Sequence, residues 1–386
     1  MRKEIIIWVL ALGVFSIINT EMGVIGILPL IAQHFSLTIT QAGLLVSLFA
    51  LGVAISGPVM PLLMSKMNRK TAMLLVLSIF MISNIVSAMT SSFSVVLFAR
   101  IVPAFFQPVY VSLAFSVASS FMQEREAPKA ASKIMLGVSA GMVLGVPIAS
   151  FIAYQVSYAA VMYCFAMVNA VVLIISLVVM PSMPVKHVVS YGQQTICLKH
   201  SLTWISLLAV VCLNGAIFGV YSFITQYLQT VSSLSASIIS MLLFLYGMSN
   251  MVGNMIAGHQ LSKRPIRFVM LLPLLLGGLY IVMLTLGSFT LPIMCCILAW
   301  GMLAGACGNV NQYWITSVIM DAPEFGNGLF LSATNLGTTI GTTLCGYLIS
   351  SMGISSILLG GLLLIVTSLG LILYRIKLTQ NTLVKA

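Results

Sequence analysis

Six of the 386 residues are Asp or Glu, and one of them, Glu21, sits inside a long apolar run. The other five, Glu4, Glu124, Glu126, Asp321 and Glu324, fall at the terminus or in polar connections. If the run around Glu21 crosses a bilayer, a carboxylate at that depth costs at least a few kcal/mol, so it must face a cavity or a partner. Such a group is a candidate to bind and release protons. Arg100 is the one basic residue that reads as lying at depth. Counting 1.5 Å per residue from the outer ends of their helices puts Glu21 and Arg100 at about 15 Å and about 10 Å, close enough to pair. Protonating Glu21 would then release Arg100 to another partner, the elementary step of proton-coupled exchange. A structural ion pair, or bonds from Arg100 to backbone carbonyls, is the packing alternative.

Neutral groups recur at helical spacing around these two. Arg100, Ala104, Gln107 and Val111 form one stripe, flanked by Pro103 and Pro108. Asn214, Phe218, Tyr221 and Thr225 form a second; Asn309, Gln312, Tyr313 and Thr316 a third; Ser332, Asn335, Thr339 and Thr342 a fourth. Such stripes face a bundle interior, either as a wet substrate path or as interhelical hydrogen bonding. Gly137, Gly141 and Gly145 share a helix face that permits close backbone approach, and Pro147 allows a kink there.

The elements that position these groups follow from composition. The chain is 60% hydrophobic and 6% charged, against about 25% charged in ordinary soluble domains. This excludes a soluble globule, a disordered chain and a disulfide-stapled secreted scaffold. A span takes about 20 apolar residues, so a dozen use roughly 240. Uncharged runs predict helices near 5–31, 41–64, 71–90, 94–120, 131–153 and 158–181, then near 203–229, 236–258, 267–286, 290–318, 326–350 and 354–375. The expected organisation is an all-α membrane protein: a six-helix bundle over 1–181, a cytoplasmic linker over 182–202, and a second six-helix bundle over 203–386. The first apolar run lacks a small-residue cleavage site and reads as a retained helix.

Under this parse 16 of the 17 Lys and Arg flank one side of the membrane, and Arg100 alone lies within a helix. Basic flanks mark the cytoplasmic side, so both termini are expected there. The net charge of +11 is then topology, and nucleic acid is not an expected partner. The two halves also match each other. Residues 41–70 lie over 236–265 at an offset of 195, aligning Phe49 with Phe244, Gly52 with Gly247 and Arg69 with Arg264. At an offset of 196, Gly141 and Gly145 fall on Gly337 and Gly341. A duplicated six-helix unit is the arrangement in which a site forms between repeats.

Four segments carry a family resemblance. They are Thr20-Glu21-Met22-Gly23 through Pro29 to Ala32; Pro61 to Lys70, with Lys66, Arg69 and Lys70; Leu97 to Arg100 with Gln107; and Gly137, Gly141, Gly145 and Pro147. The chain resembles the major facilitator superfamily, and within it the twelve-helix drug:proton antiporters and sugar or purine efflux permeases. The loop has Ser65 where that family usually has Asp and Asn68 where it usually has Gly, which tilts the resemblance toward the sugar and purine branches. The resemblance implies gating and packing roles for Lys66, Arg69, Lys70 and the Gly137–Pro147 face. It also implies that the four stripes line a substrate path.

No P-loop, H-E-x-x-H or C-x-x-C is present, and no carboxylates pair within the membrane, so neither an enzyme, a cofactor, a metal nor an ATP-driven pump is expected. One proton entering across about 100 mV and one pH unit supplies about 3.7 kcal/mol, enough for a roughly 500-fold gradient of a neutral solute. The expected function is a proton-coupled antiporter that exports a small organic solute by alternating access. Glu21 and Arg100 would couple protons, and Gln107, Asn214, Phe218, Tyr221, Asn309, Gln312, Tyr313 and Asn335 would bind substrate. Amide- and hydroxyl-rich stripes favour a sugar or nucleoside; aromatics and 25 Met favour varied drugs and multidrug resistance. A symporter or facilitator importing a metabolite is the alternative. The remaining expected partners are protons and lipid, with the protein a monomer in the cytoplasmic membrane.

Overall fold

The computed structural model of the chain describes residues 2–64, 66–120, 127–184, 200–318 and 323–385. Ser65, the acidic pair Glu124 and Glu126, Asp321 and most of the expected linker, 185–199, lie outside the described residues. Fourteen helices follow one another as α1 (Arg2–Gly26), α2 (Leu28–His34), α3 (Ile39–Ser56), α4 (Met60–Leu63), α5 (Arg69–Met89), α6 (Phe93–Ser120) and α7 (Ala127–Gln155). Then come α8 (Tyr158–Val179), α9 (Ser201–Thr230), α10 (Ala236–Lys263), α11 (Pro265–Leu286), α12 (Thr290–Thr316), α13 (Pro323–Met352) and α14 (Ile357–Lys385). Eleven spans among the described residues are long and apolar enough to cross a membrane. The 30-residue α13, at about 1.5 Å per residue, is long enough to be the twelfth.

Two expected helices are broken, each by a Gly–Pro neighbourhood. The run 5–31 stops at Gly26 and resumes as α2 with Pro29 in its first turn. The run 41–64 stops at Ser56 before Gly57 and Pro58, and a single turn, α4, follows. Proline lacks the N–H that continues the ladder, and glycine leaves the backbone free to turn. Elsewhere polar side chains start the helices. Asn68 accepts from the Lys70 amide at 3.0 Å, and Ser157 from the Ala160 amide at 3.1 Å, each satisfying an otherwise orphaned N–H. Large apolar side chains cover the outside: Met255 is 78% exposed and Leu291 72%. In water such a surface would aggregate; in hydrocarbon it is the solvated face.

The chain divides into two compact units. One comprises 1–38 and 55–189, the other 39–54 and 190–386. The segment 39–54, most of α3, packs with the second unit through short polar contacts. Thr40 donates to the Gly346 carbonyl at 2.9 Å, Thr339 donates to the Ser47 carbonyl at 3.1 Å, and Gly43 lies against the Phe223 ring.

Within each unit one seam is built from glycine. In the first, a side chain on Gly137 would strike the Ala11 carbonyl, one on Gly141 the Ile18 side chain, and one on Gly145 the Asn19 backbone. In the second, Gly337 meets Asn214 and the Gly215 amide, and Gly341 meets the Gly215 backbone. Every one of these 141/145 and 337/341 contacts keeps the 196-residue offset. Ser36, just after α2, and Ser233, after α9, both hold positive φ, 53° and 54°.

Candidate functional site

The intramembrane acid and base of the sequence meet on one turn of α1. Arg100 of α6 donates through Nη1 to the Thr20 carbonyl at 2.9 Å and through Nη2 to the Glu21 carbonyl at 2.8 Å. The Glu21 carboxylate accepts from Gln107 Nε2 at 2.6 Å. The guanidinium therefore grips the backbone of the turn that bears the acid, while the amide about two turns further along α6 holds the carboxylate. This is the backbone alternative for Arg100. A charged donor on carbonyls is stronger than a neutral one, so α6 is pinned to α1 beside the titratable group. Arg100 is 7% exposed and Gln107 6%, whereas Glu21 is half-buried.

The opposite side of the turn is held by Asn169 of α8, a residue the sequence reading passed over. Its Nδ2 donates to Thr20 Oγ1 at 3.1 Å and to the Phe165 carbonyl at 2.8 Å, and its Oδ1 accepts from Ser16 at 3.2 Å. Thr20 returns to the Ser16 carbonyl at 2.9 Å. Arg100 on one flank, Asn169 on the other and the Gly141/Gly145 face behind thus fix the turn rigidly, leaving the carboxylate as its adjustable group. Below it, Ser150 donates to the Gly26 carbonyl at 3.2 Å, near Pro147 of the same helix.

The loop after α4 is anchored. Lys66 is exposed. The Arg69 amide donates to the Met183 carbonyl at 3.1 Å, and Lys70 Nζ donates to the Leu177 carbonyl at 2.8 Å. Asn68, standing where the family usually has Gly, donates to Ser182 Oγ at 2.7 Å. The departure from the family's residue here builds a tie between the loop and the end of α8.

In the second unit the candidate substrate residues divide. Asn214 donates to the Thr334 carbonyl at 2.7 Å and to Thr338 at 3.2 Å, joining α9 to α13. Asn309 donates to the Asn254 carbonyl and Oδ1 at 3.1 and 2.9 Å, and Asn254 in turn donates to Asn250 Oδ1 at 3.1 Å. Asn335 donates to the Leu331 carbonyl of its own helix at 2.9 Å. Gln312 is exposed and Tyr313 half-exposed, while their neighbours Asn311 and Trp314 are buried. Phe218 and Tyr221 stand together, rings 6.2 Å apart. Tyr221 stacks on Tyr246 at 4.9 Å, and both sit edge-on to Trp300 at 5.9 and 5.2 Å. This aromatic cluster, with Tyr246 and Trp300 added, packs ring on ring in the interior of the unit.

Arg375, expected at a cytoplasmic flank, is a second buried basic residue, 8% exposed, in the latter half of α14. It donates to the Trp314 carbonyl at 2.6 Å and to Ser317 Oγ at 2.8 Å, with its guanidinium 3.7 Å from the Trp314 ring centre. It thereby satisfies the carbonyl end of α12, where cations are favoured. Among the described residues no three His, Cys, Asp or Glu gather into a group that could hold a metal.

A family model described as Major Facilitator Superfamily matches residues 10–342. YtbD, an MFS-type transporter of Bacillus subtilis (strain 168), is 28% identical over 362 residues, covering 92% of this chain and 91% of its own. A probable sugar efflux transporter of Helicobacter acinonychis (strain Sheeba) is 24% identical over 355 residues, covering 91% and 90%. Among solved structures, a bacterial homologue of the human lysosomal transporter Spinster, inward-facing and occupied, superposes with a TM-score of 0.79 at 15% identity, over 96% of each chain. Matched by that family model over most of its length, the chain belongs to the Major Facilitator Superfamily of transporters.

Proposed function

We propose that the protein is a proton-coupled antiporter of the cytoplasmic membrane, with both termini inside, exporting a small neutral polar solute of the sugar or nucleoside class by alternating access. The observation that carries the reading is Glu21. It is a carboxylate in the interior of a span, half-buried, and held by Gln107 while Arg100 is engaged on the same turn. An acid so placed can load and unload a proton without losing its helix anchorage, because Arg100 holds the Thr20 and Glu21 carbonyls and Asn169 the Thr20 hydroxyl. The amides of Asn214, Asn309 and Asn335 and the Phe218–Tyr221 pair support a neutral cargo. The name of the Helicobacter relative, a sugar efflux transporter, supports the cargo class and direction.

The test uses purified protein in liposomes loaded with a pH dye, challenged with panels of sugars, nucleosides and hydrophobic drugs. Proton movement evoked by sugars or nucleosides, absent with Glu21→Gln, is the expected result. Solute flux that persists unchanged in Glu21→Gln, or flux without proton movement, overturns the coupling role. Proton movement evoked by hydrophobic drugs alone overturns the cargo class.

A further inference from the structure

Gln107 has two polar ends, and the structure uses one. Nε2 donates to Glu21, while Oε1 is buried and accepts from no group. The orientation follows from chemistry: an ionised carboxylate is an acceptor only, so the amide must turn its NH2 toward it. A protonated carboxyl becomes a donor, and the amide's complement to a donor is Oε1. The last torsion of a glutamine side chain is broad and roughly two-fold, so a half-turn exchanges the ends without moving α6.

Resting on the reading of Glu21 as the proton site, we infer that Gln107 reports the proton to the cargo: protonation of Glu21 reverses the Gln107 amide, so that the group left over changes from acceptor to donor. An N–H of the cargo that satisfies Oε1 while Glu21 is ionised meets an NH2, donor against donor, once it is protonated. Proton and such a cargo then exclude each other at one side chain, as antiport requires, with no large motion of either helix; a hydroxyl, which can turn to accept, would not discriminate. The buried oxygen without a donor is what the ionised state lacks and an N–H-bearing solute supplies.

The other titratable and charged groups around α1 are committed elsewhere. Arg100 of α6 is bonded to the Thr20 and Glu21 carbonyls, and Tyr110 of α6 lies against Gly13. Tyr158 of α8 donates to the Ser87 carbonyl and stacks with His34 of α2. Lys133 of α7 pairs with Glu4, and Lys70 of α5 bonds the Leu177 carbonyl.

Infrared difference spectroscopy across a pH series tests this on the full chain in lipid, made with glutamine carrying carbon-13 in its side-chain carbonyl. As the carboxyl band of Glu21 appears with falling pH, a labelled amide band should shift in step. That shift should be lost in Gln107→Met, which keeps the chain length without the amide, and in Glu21→Gln, which removes the trigger. Gln107→Leu provides the same subtraction should the Met variant not fold. A Glu21 carboxyl that titrates while no Gln107 amide band responds overturns the switch and leaves Glu21 as the proton site. Absence of any titrating Glu21 band overturns both, and so separates the two failures.

Discussion

The α1–α7 seam of the first unit and the α9–α13 seam of the second are the same piece of packing used twice. Gly141 and Gly145 meet Ile18 and Asn19 as Gly337 and Gly341 meet Asn214 and Gly215. What stands on the seams differs. The position that carries Glu21 in the first unit carries Ile217 in the second, α9 has no acid and α12 no base. Instead, the second unit gathers Tyr221, Tyr246 and Trp300. Duplication has kept the backbone geometry and separated the chemistry: the acid and guanidinium that meet on α1 have no counterparts on α9 and α12.

Several substitutions would break or sharpen that contrast. The largest effect is expected from importing the acid without its partners. Ile217→Glu places a carboxylate on α9 with neither the guanidinium nor the amide that attend Glu21, and should cost at least about 2–3 kcal/mol. Thermal unfolding in detergent would read it as a markedly lower midpoint, with no gain in proton movement. A side chain forced into either seam should cost about 1–3 kcal/mol. Gly141→Leu and Gly337→Leu should therefore lower the unfolding midpoint by similar amounts; a large loss in one and none in the other would contradict the equivalence. Truncating the carboxamide that holds the Glu21 turn, Asn169→Ala, should cost about 1 kcal/mol and loosen the turn, seen as faster amide hydrogen exchange over residues 16–21. Smallest, Arg375→Lys keeps the charge but loses the two-armed grip and the flat stacking on Trp314. It should lower stability by about 0.5–1 kcal/mol and leave proton coupling intact.

The spans were legible because twenty apolar residues in a row have few other uses, and the repeat because glycine seams tolerate no substitution by bulk. The breaks after Gly26 and Ser56 were read through, since the sequence stays apolar across them and only Pro29 and Pro58 mark the change. Phase was harder than location. In a soluble helix the polar face fixes the rotation, but lipid and core are both apolar, so the sequence does not say which way Gln312 faces. Asn169 was invisible for a related reason: one Asn in an apolar run states a hydrogen bond and not its partner. Arg375 read as a flank because the polar tail begins just beyond it; its bond to the end of α12 leaves no mark in the sequence. Glu21 was legible from rarity alone, while the targets of Arg100, two backbone carbonyls, leave no mark in any sequence.

The most direct test of an acid on α1 without a counterpart on α9 is to count protons released when solute binds. Purified protein in unbuffered detergent would be mixed with the sugar and nucleoside panel and the pH followed. The account predicts close to one proton released per protein at saturation by a solute that binds, and none from Glu21→Gln with that solute. Release that survives in Glu21→Gln would place the coupling proton elsewhere and contradict the account.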